Sequence, residues 1–389
     1  MNDRLRSLDV FRGATVALMI LVNNPGHWRH LYPPLAHADW HGLTPTDLVF
    51  PFFLFAVGNA LAIVMPRLRQ GPAAAFWCKL ARRTGLLFLI GVALGAAPFV
   101  RWGASGELEL RAWDTLRVMG VLQRIGLTFG AAAVIVWGLG RRGPRAVLWA
   151  AALLLVGYWG ACRLFGGYDP YSLEGFFGTA LDRALVGAPH LYEGEGVPFD
   201  PEGLASTIPA VAQVLLGWWV GDKVLRERID PALAARLFLG ATGLLIGAYL
   251  WQLEMPLNKK IWTSSFVLAT TGMAMMVLAS LIQIVELRAR PAELAVWGRF
   301  FEVFGRNALF VFVLSGLVPR ALSLVRWQVG ATAEGQPLWT TPLPWLYQTV
   351  FAELGSDPRL GSLLFAGANL ACYWALAWWL DRRRIYIRV

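Results

Sequence analysis

Apolar and polar positions fall along this chain in long blocks rather than in the short alternations of a soluble fold. Apolar runs occupy residues 8–22, 44–65, 84–100, 116–139, 147–164, 206–225, 237–253, 262–287, 297–318 and 360–380. A run of about 20 such residues crosses a ~30 Å hydrocarbon core as a helix. The pattern therefore predicts an all-α, polytopic transmembrane bundle of about ten spans. The first run stops at Asn23-Asn24-Pro25-Gly26, where proline and glycine end a helix. The second opens with Thr44 or Thr46 as N-cap, and Pro45 or Pro51 is tolerated near its start. The aromatic stretch at 343–354 is too short to cross and reads as an interfacial helix.

Composition agrees with the blocks: 57% of residues are hydrophobic, 15% are charged, and mean hydropathy is +0.51. Residues 1–389 read as a single transmembrane domain without a soluble module. The net charge of +10 does not point to nucleic acid, because the basic residues sit in short loops between apolar runs. Arg4 and Arg6, then Arg67, Arg69, Lys79, Arg82 and Arg83, then Arg141, Arg142 and Arg145, and finally Arg382, Arg383, Arg384 and Arg388 mark one side. The intervening loops are not basic, and the one between Arg163 and Ala205 is acidic, with Asp169, Glu174, Asp182, Glu193, Glu195, Asp200 and Glu202. Positive loops stay in the cytoplasm, so both termini are expected there. No cleavable signal precedes the first run, which is expected to stay in the mature protein. The three cysteines, Cys78, Cys162 and Cys372, form no C-x-x-C spacing and read as small apolar residues.

Four of the five histidines, His27, His30, His37 and His41, lie between the first two apolar runs, in a loop expected to face outward. His37 and His41 are four apart, but Gly42 and Pro45 argue against a helix there, and spacing fixes no third metal ligand. A histidine at the membrane surface acting as base or nucleophile fits better, since neutral imidazole takes a proton near physiological pH. Asp39 or Asp47 is placed to orient it, and Asn23 or Asn24 to donate to a developing oxyanion. His27, His30 and His41 read as an interfacial belt. Ionisable groups inside spans are costly and face a cavity or a partner. Arg12, Gln123 with Arg124, and Arg306 are such groups, and guanidinium groups suit a phosphate-bearing ligand. Two outward loops add polar clusters, one with His190, Asp200 and Glu202, the other with Asn258, Lys259, Lys260 and Trp262. Lysines on the outward side depart from the charge rule and favour a ligand. The same polar residues would also suit an amino-sugar transporter, although no internal repeat is evident.

Several of these residues fall in a recognisable series. Arg4-Leu-Arg-Ser-Leu-Asp-Val-Phe-Arg-Gly13, Val22-Asn23, His37-Ala-x-Trp-x-Gly-Leu-Thr-x-x-Asp-Leu-Val-Phe-Pro51, Val121-Leu-Gln-Arg124, Asp200-Pro-Glu-Gly203 and Asn258-Lys-x-x-Trp262 resemble the heparan-α-glucosaminide N-acetyltransferase family. The resemblance implies a multi-spanning acyltransferase that takes acetyl from cytoplasmic acetyl-CoA and delivers it to an amino sugar across the membrane. His37 matches that family's active-site histidine and Asn23 its neighbouring asparagine, with Asp47 the third expected catalytic residue. Arg124, Gln123, Arg306, Arg12, Lys259 and Trp262 are expected on the acetyl-CoA side, and Asn24, Trp40, Asp39, His190, Glu202 and Asn258 around the sugar. No metal is expected. The animal enzymes carry a lumenal domain ahead of this region, so the chain resembles the bacterial members, with glucosamine or a cell-wall amino sugar as acceptor. The expected setting is a bacterial inner membrane with His37 on the periplasmic side. The expected partners are the lipid bilayer, acetyl-CoA and the sugar, no nucleic acid and, as an open alternative, a second copy in a homodimer.

Overall fold

The structure, a computed structural model, describes residues 5–103, 106–288, 291–333 and 335–387. Arg4 and Arg388, counted among the basic flanks, lie outside these ranges. From the N-terminus the helices are α1 (Arg6–Asn23), α2 (Val49–Gln70), α3 (Ala73–Ala96), α4 (Val121–Leu139), α5 (Pro144–Phe165) and α6 (Phe177–Leu185). They continue as α7 (Leu204–Arg226), α8 (Pro231–Trp251), α9 (Ser264–Leu281), α10 (Pro291–Arg306), α11 (Ala308–Leu322), α12 (Pro342–Leu346) and α13 (Pro358–Arg382). Strand among the described residues is confined to two antiparallel hairpins, β1 (Val100–Trp102) with β2 (Leu108–Leu110) and β3 (Trp327–Ala331) with β4 (Pro337–Thr340).

The all-α bundle is as the apolar blocks predict. Among the described residues seven stretches are long and apolar enough to cross a membrane: Pro45–Gln70, Val121–Arg142, α5, α7, α8, Ser264–Arg288 and α13. Trp297–Arg306 and Ala308–Leu322 add an eighth if they act as one span, although they meet at 79°. The remaining two expected runs fall on α1 and α3, which each hold three charges: Arg6, Asp9 and Arg12 in one, Lys79, Arg82 and Arg83 in the other. The stretch at 343–354 forms α12 and a π-helical turn, Tyr347–Phe351.

Glycine lets the central helices touch backbone to backbone, which van der Waals packing between apolar helices rewards. A side chain on Gly58 of α2 would strike the Val214 carbonyl of α7, and one on Gly217 of α7 would strike the backbone of Phe55. α7 is the axis of the bundle, since 78% of its apolar stretch is buried against 28% for α5 and for α8. α2, α4, α5 and α7 share one apolar core, and α1, α10, α11 and α13 share another.

At one end of the bundle the segments preceding α2, α4, α7 and α9 meet. Gly42 N–H donates to Leu257 O at 2.8 Å, Trp40 Nε1 donates to Tyr171 O at 2.8 Å, and Arg117 bonds Asp200. These are the segments that the charge pattern assigns to a common side. A second network joins the first and last helices. Glu302 accepts from Arg6 Nε at 2.7 Å, and Asp381 accepts from Arg299 at 2.6 Å and from Arg306 at 2.7 Å.

Candidate active site

Asp47 is built into the start of α2 by its neighbours. Thr44 and Asp47 form a capping box on a 3₁₀ turn, Pro45–Leu48, with Pro45 at its first position. Asp47 Oδ2 accepts from Ala38 N at 3.1 Å, Thr44 N at 3.1 Å and Thr44 Oγ1 at 3.0 Å. Its Oδ1 lies 2.7 Å from His37 Nδ1. The carboxylate is 1% exposed, whereas the imidazole is 44% exposed. A carboxylate fixed in this way takes the Nδ1 proton as its hydrogen bond, and that tautomer puts the lone pair on Nε2. Of the two acids that the sequence offers for His37, Asp47 is the one in contact; Asp39 is exposed, and its carbonyl accepts from Lys260 Nζ at 2.6 Å.

Lys259 reaches the same imidazole from the turn ahead of α9. Its Nζ stands 3.0 Å from Nδ1 and 3.4 Å from Nε2 of His37, and 3.4 Å from Asp47 Oδ1. Burial lowers the pKa of this ammonium, against the opposing charges of Asp47 and Glu202. The turn is wound around the fully buried Asn258, whose Oδ1 accepts from Ile261 N at 3.0 Å and whose N–H donates to Thr263 Oγ1 at 3.0 Å. It carries Trp262 at φ +52°, a left-handed conformation that costs a non-glycine residue roughly 1–3 kcal/mol.

A cavity of about 470 Å³ opens beside this group. Asn23, His37, Asp47, Arg117, Glu195, Glu202, Lys259, Lys260 and Trp262 line its polar part, and Val22, Phe53, Val121, Ile125 and Phe312 line its apolar part. Among the residues expected at the site, Asn23, His37, Asp47, Glu202, Lys259 and Trp262 are thus brought together. Others sit one layer behind. Arg124 is fully buried, donates to Gly203 O and Ser206 Oγ, and lies 5.1 Å from the Trp262 ring centre. Gln123 Nε2 donates to Val118 O at 3.0 Å, and His190 Nδ1 donates to Leu116 O at 2.8 Å, so both brace the segment before α4. Trp40 lies under Lys260 at 5.7 Å, and Asn258 Nδ2 is 3.4 Å from His41 Nδ1.

Three expected residues are turned elsewhere. Asn24 Nδ2 folds back onto Ile20 O at 2.9 Å. Arg12 donates to Asp9 at 2.8 Å and to Gly305 O at 2.6 Å, and Arg306 pairs with Asp381 and Glu302. Their charges are compensated in the network of α1, α10 and α13, away from the cavity, so the structure does not carry Arg12 and Arg306 into a phosphate site. Among the described residues no group of three or more His, Cys, Asp and Glu side chains comes together to hold a metal.

Arg117 is the cavity residue that sequence reasoning passed over. It spans Asp200, through Nε at 2.9 Å and Nη2 at 2.6 Å, and also donates to Glu202, with the Tyr192 ring centre 4.9 Å away. Burial disfavours the guanidinium charge, but Asp200 and Glu202 outweigh it and raise the pKa of Arg117. Glu202 in turn is held low by Arg117 and Arg124 despite burial. Arg117 falls at the start of the apolar run 116–139, so the cost of an ionisable group within a span, which draws attention to Arg124, applies to it equally.

A family model described as a domain of unknown function (DUF5009) matches residues 4–111, the segment that supplies Asn23, His37 and Asp47. The heparan-α-glucosaminide N-acetyltransferase of Homo sapiens is 29% identical, over 80% of this chain and 52% of its own length. That of Mus musculus is 28% identical, over 80% of this chain and 53% of its own. The chain is similar to these heparan-α-glucosaminide N-acetyltransferases over four fifths of its length. It spans about half the length of the curated family members it matches. The family motifs quoted above supply most of the polar cavity lining, whereas Arg117 precedes the Val121-Leu-Gln-Arg124 motif by a few positions.

Proposed function

We propose that this chain is a transmembrane N-acetyltransferase that moves the acetyl group of acetyl-CoA to the amino group of glucosamine or a related amino sugar. The observation that carries the reading is the His37–Asp47 pair, an imidazole held by a buried carboxylate at 2.7 Å and open to a cavity that also holds Asn23 and Glu202. His37 Nε2 takes the proton of the attacking amine, or receives the acetyl group first and hands it on. Both routes use the neutral ring that Asp47 orients. Asn23 donates to the tetrahedral oxyanion, an effect worth about 3 kcal/mol for one donor. The sugar ammonium is met by the carboxylates of Glu202 and Glu195, and the apolar wall of Val22, Phe53, Val121, Ile125 and Phe312 accepts the acyl end of the donor. Cytoplasmic donor, outward-facing sugar and an inner bacterial membrane complete the proposal, on the strength of the loop charges.

The test is release of free CoA thiol from acetyl-CoA by the detergent-purified protein, with and without glucosamine, beside His37→Ala. Release that depends on the amine and disappears in the variant supports acetyl transfer at His37. Sugar flux in proteoliposomes without CoA release would replace the proposal by transport.

A further inference from the structure

A lysine side chain lies against the imidazole on which the proposed reaction depends. Lys259 Nζ lies 3.0 and 3.4 Å from the two ring nitrogens of His37, lines the cavity and is only 22% exposed. Reacting atoms held about 3–3.5 Å apart gain the advantage of an intramolecular reaction. We propose that Lys259 is itself an acetyl acceptor, so that in the absence of a sugar amine the protein modifies its own site. This rests on the acetyl-transfer reading above.

The chemistry is that of the external reaction. The ammonium of Lys259 gives up one proton to solvent through His37, and the free amine attacks the acetyl carbonyl. The thioester C–S bond breaks and an Nζ–C amide bond forms. The second proton leaves Nζ by way of His37 and is taken up by the departing thiolate, so one acetyl-CoA yields one acetyl-lysine and one free thiol. Burial favours the amine form of Lys259, while Asp47 and Glu202 favour the ammonium, so an incoming sugar ammonium competes with Lys259 for the same carboxylates. Once acetylated, Lys259 no longer compensates Asp47 or Glu202 and adds bulk to the cavity. The modification is therefore self-limiting: it disables the site when donor is present and acceptor is not.

The chain has four lysines, Lys79, Lys223, Lys259 and Lys260, which makes the test internally controlled. The full-length protein in detergent is incubated with isotope-labelled acetyl-CoA and no amine, then digested, and each lysine is read by fragment mass spectrometry. Lys259 is expected to carry label at least about 10-fold above the other three, as proximity to His37 requires. Glucosamine added at the start is expected to suppress that label in the unaltered protein, a readout that needs no variant. His37→Ala is expected to abolish it. Glucosamine-dependent CoA release with no label on Lys259, or label on Lys259 no greater than on Lys260, overturns the proposal and leaves the enzymatic reading intact. Neither release nor label from a protein with an intact thermal transition overturns both.

Discussion

His37 Nδ1 and Asp47 Oδ1 lie 2.7 Å apart, and the same carboxylate closes the capping box that starts α2. The residue that orients the imidazole is therefore also the residue that fixes where the helix begins. Asp47→Asn keeps an oxygen for the cap but no longer offers His37 a charged acceptor, so the ring tautomer is released. Acceptor-dependent CoA release is expected to fall roughly 10³–10⁴-fold, the scale seen when a triad aspartate becomes asparagine. Thermal melting in the same detergent checks that the fold survives; a variant with unimpaired turnover would remove Asp47 from the site.

Asn23 stands at the end of α1, exposed and facing the cavity. If it donates to the oxyanion, Asn23→Ala lowers kcat by about 10²–10³-fold and leaves KM for acetyl-CoA nearly unchanged. A change in KM alone would mean that Asn23 binds substrate in the ground state.

Arg117 compensates Asp200, which is 0% exposed, and Glu202, which is 14% exposed. Removing one partner of such a cluster leaves buried carboxylates unpaired. Arg117→Met is expected to destabilise the protein by about 3 kcal/mol, the lower end for a buried pair because the guanidinium is partly exposed. Glu202→Gln in the same background should restore part of the loss in a detergent melt. Equal melting temperatures for the single and double variants would count against this coupling.

Asp182 lies on α6, where burial pushes its pKa up to about 6 and the Leu204 N–H, bonded to its Oδ1 at 2.9 Å, only partly opposes this. A carboxyl whose folded pKa exceeds its unfolded value contributes stability below the unfolded pKa, and that contribution is lost as pH rises through the folded one. From the ordinary 3.8 to about 6 the protein should therefore lose on the order of 3 kcal/mol from this group. Asp182→Asn keeps the acceptor for Leu204 and should flatten the stability profile between pH 4 and pH 6, read by urea unfolding at a series of pH values. An unaltered slope would show that another group titrates there.

The helices are legible because apolar length marks them, and the loop that carries His37 stands out because four of the five histidines lie in it. Asp39 and Asp47 were equally plausible partners in sequence; they differ in that Asp47 sits at the third position of a capping box, where both of its oxygens are fixed. Arg12, Arg124 and Arg306 looked alike as arginines within apolar runs, yet they go to different ends of the protein. Arg12 and Arg306 each have one partner within a turn, Asp9 and Glu302, but the partners that fix where the three arginines go stand far along the chain, Ser206 for Arg124, Asp381 for Arg306 and Gly305 for Arg12, and no local spacing encodes those pairs. The bend between α10 and α11 was hidden for a similar reason. Asn307 at the break donates to Ile385 O at 3.0 Å and accepts from Ile387 N at 2.9 Å, so the chain's last residues hold a break that the apolar run itself does not announce.

His37 and Lys259 are 222 positions apart, and every polar residue of the cavity lies between Asn23 and Trp262. A growing chain therefore carries His37 from the first loop onward but has no complete polar cavity until the turn ahead of α9 leaves the ribosome. Fragments ending after α8 hold Asp47 without Lys259, and those ending after α9 hold the full polar set but lack Phe312 of α11 in the apolar wall. The order of synthesis thus separates the assembly of the polar lining from the completion of its apolar wall, which waits for Phe312 of α11.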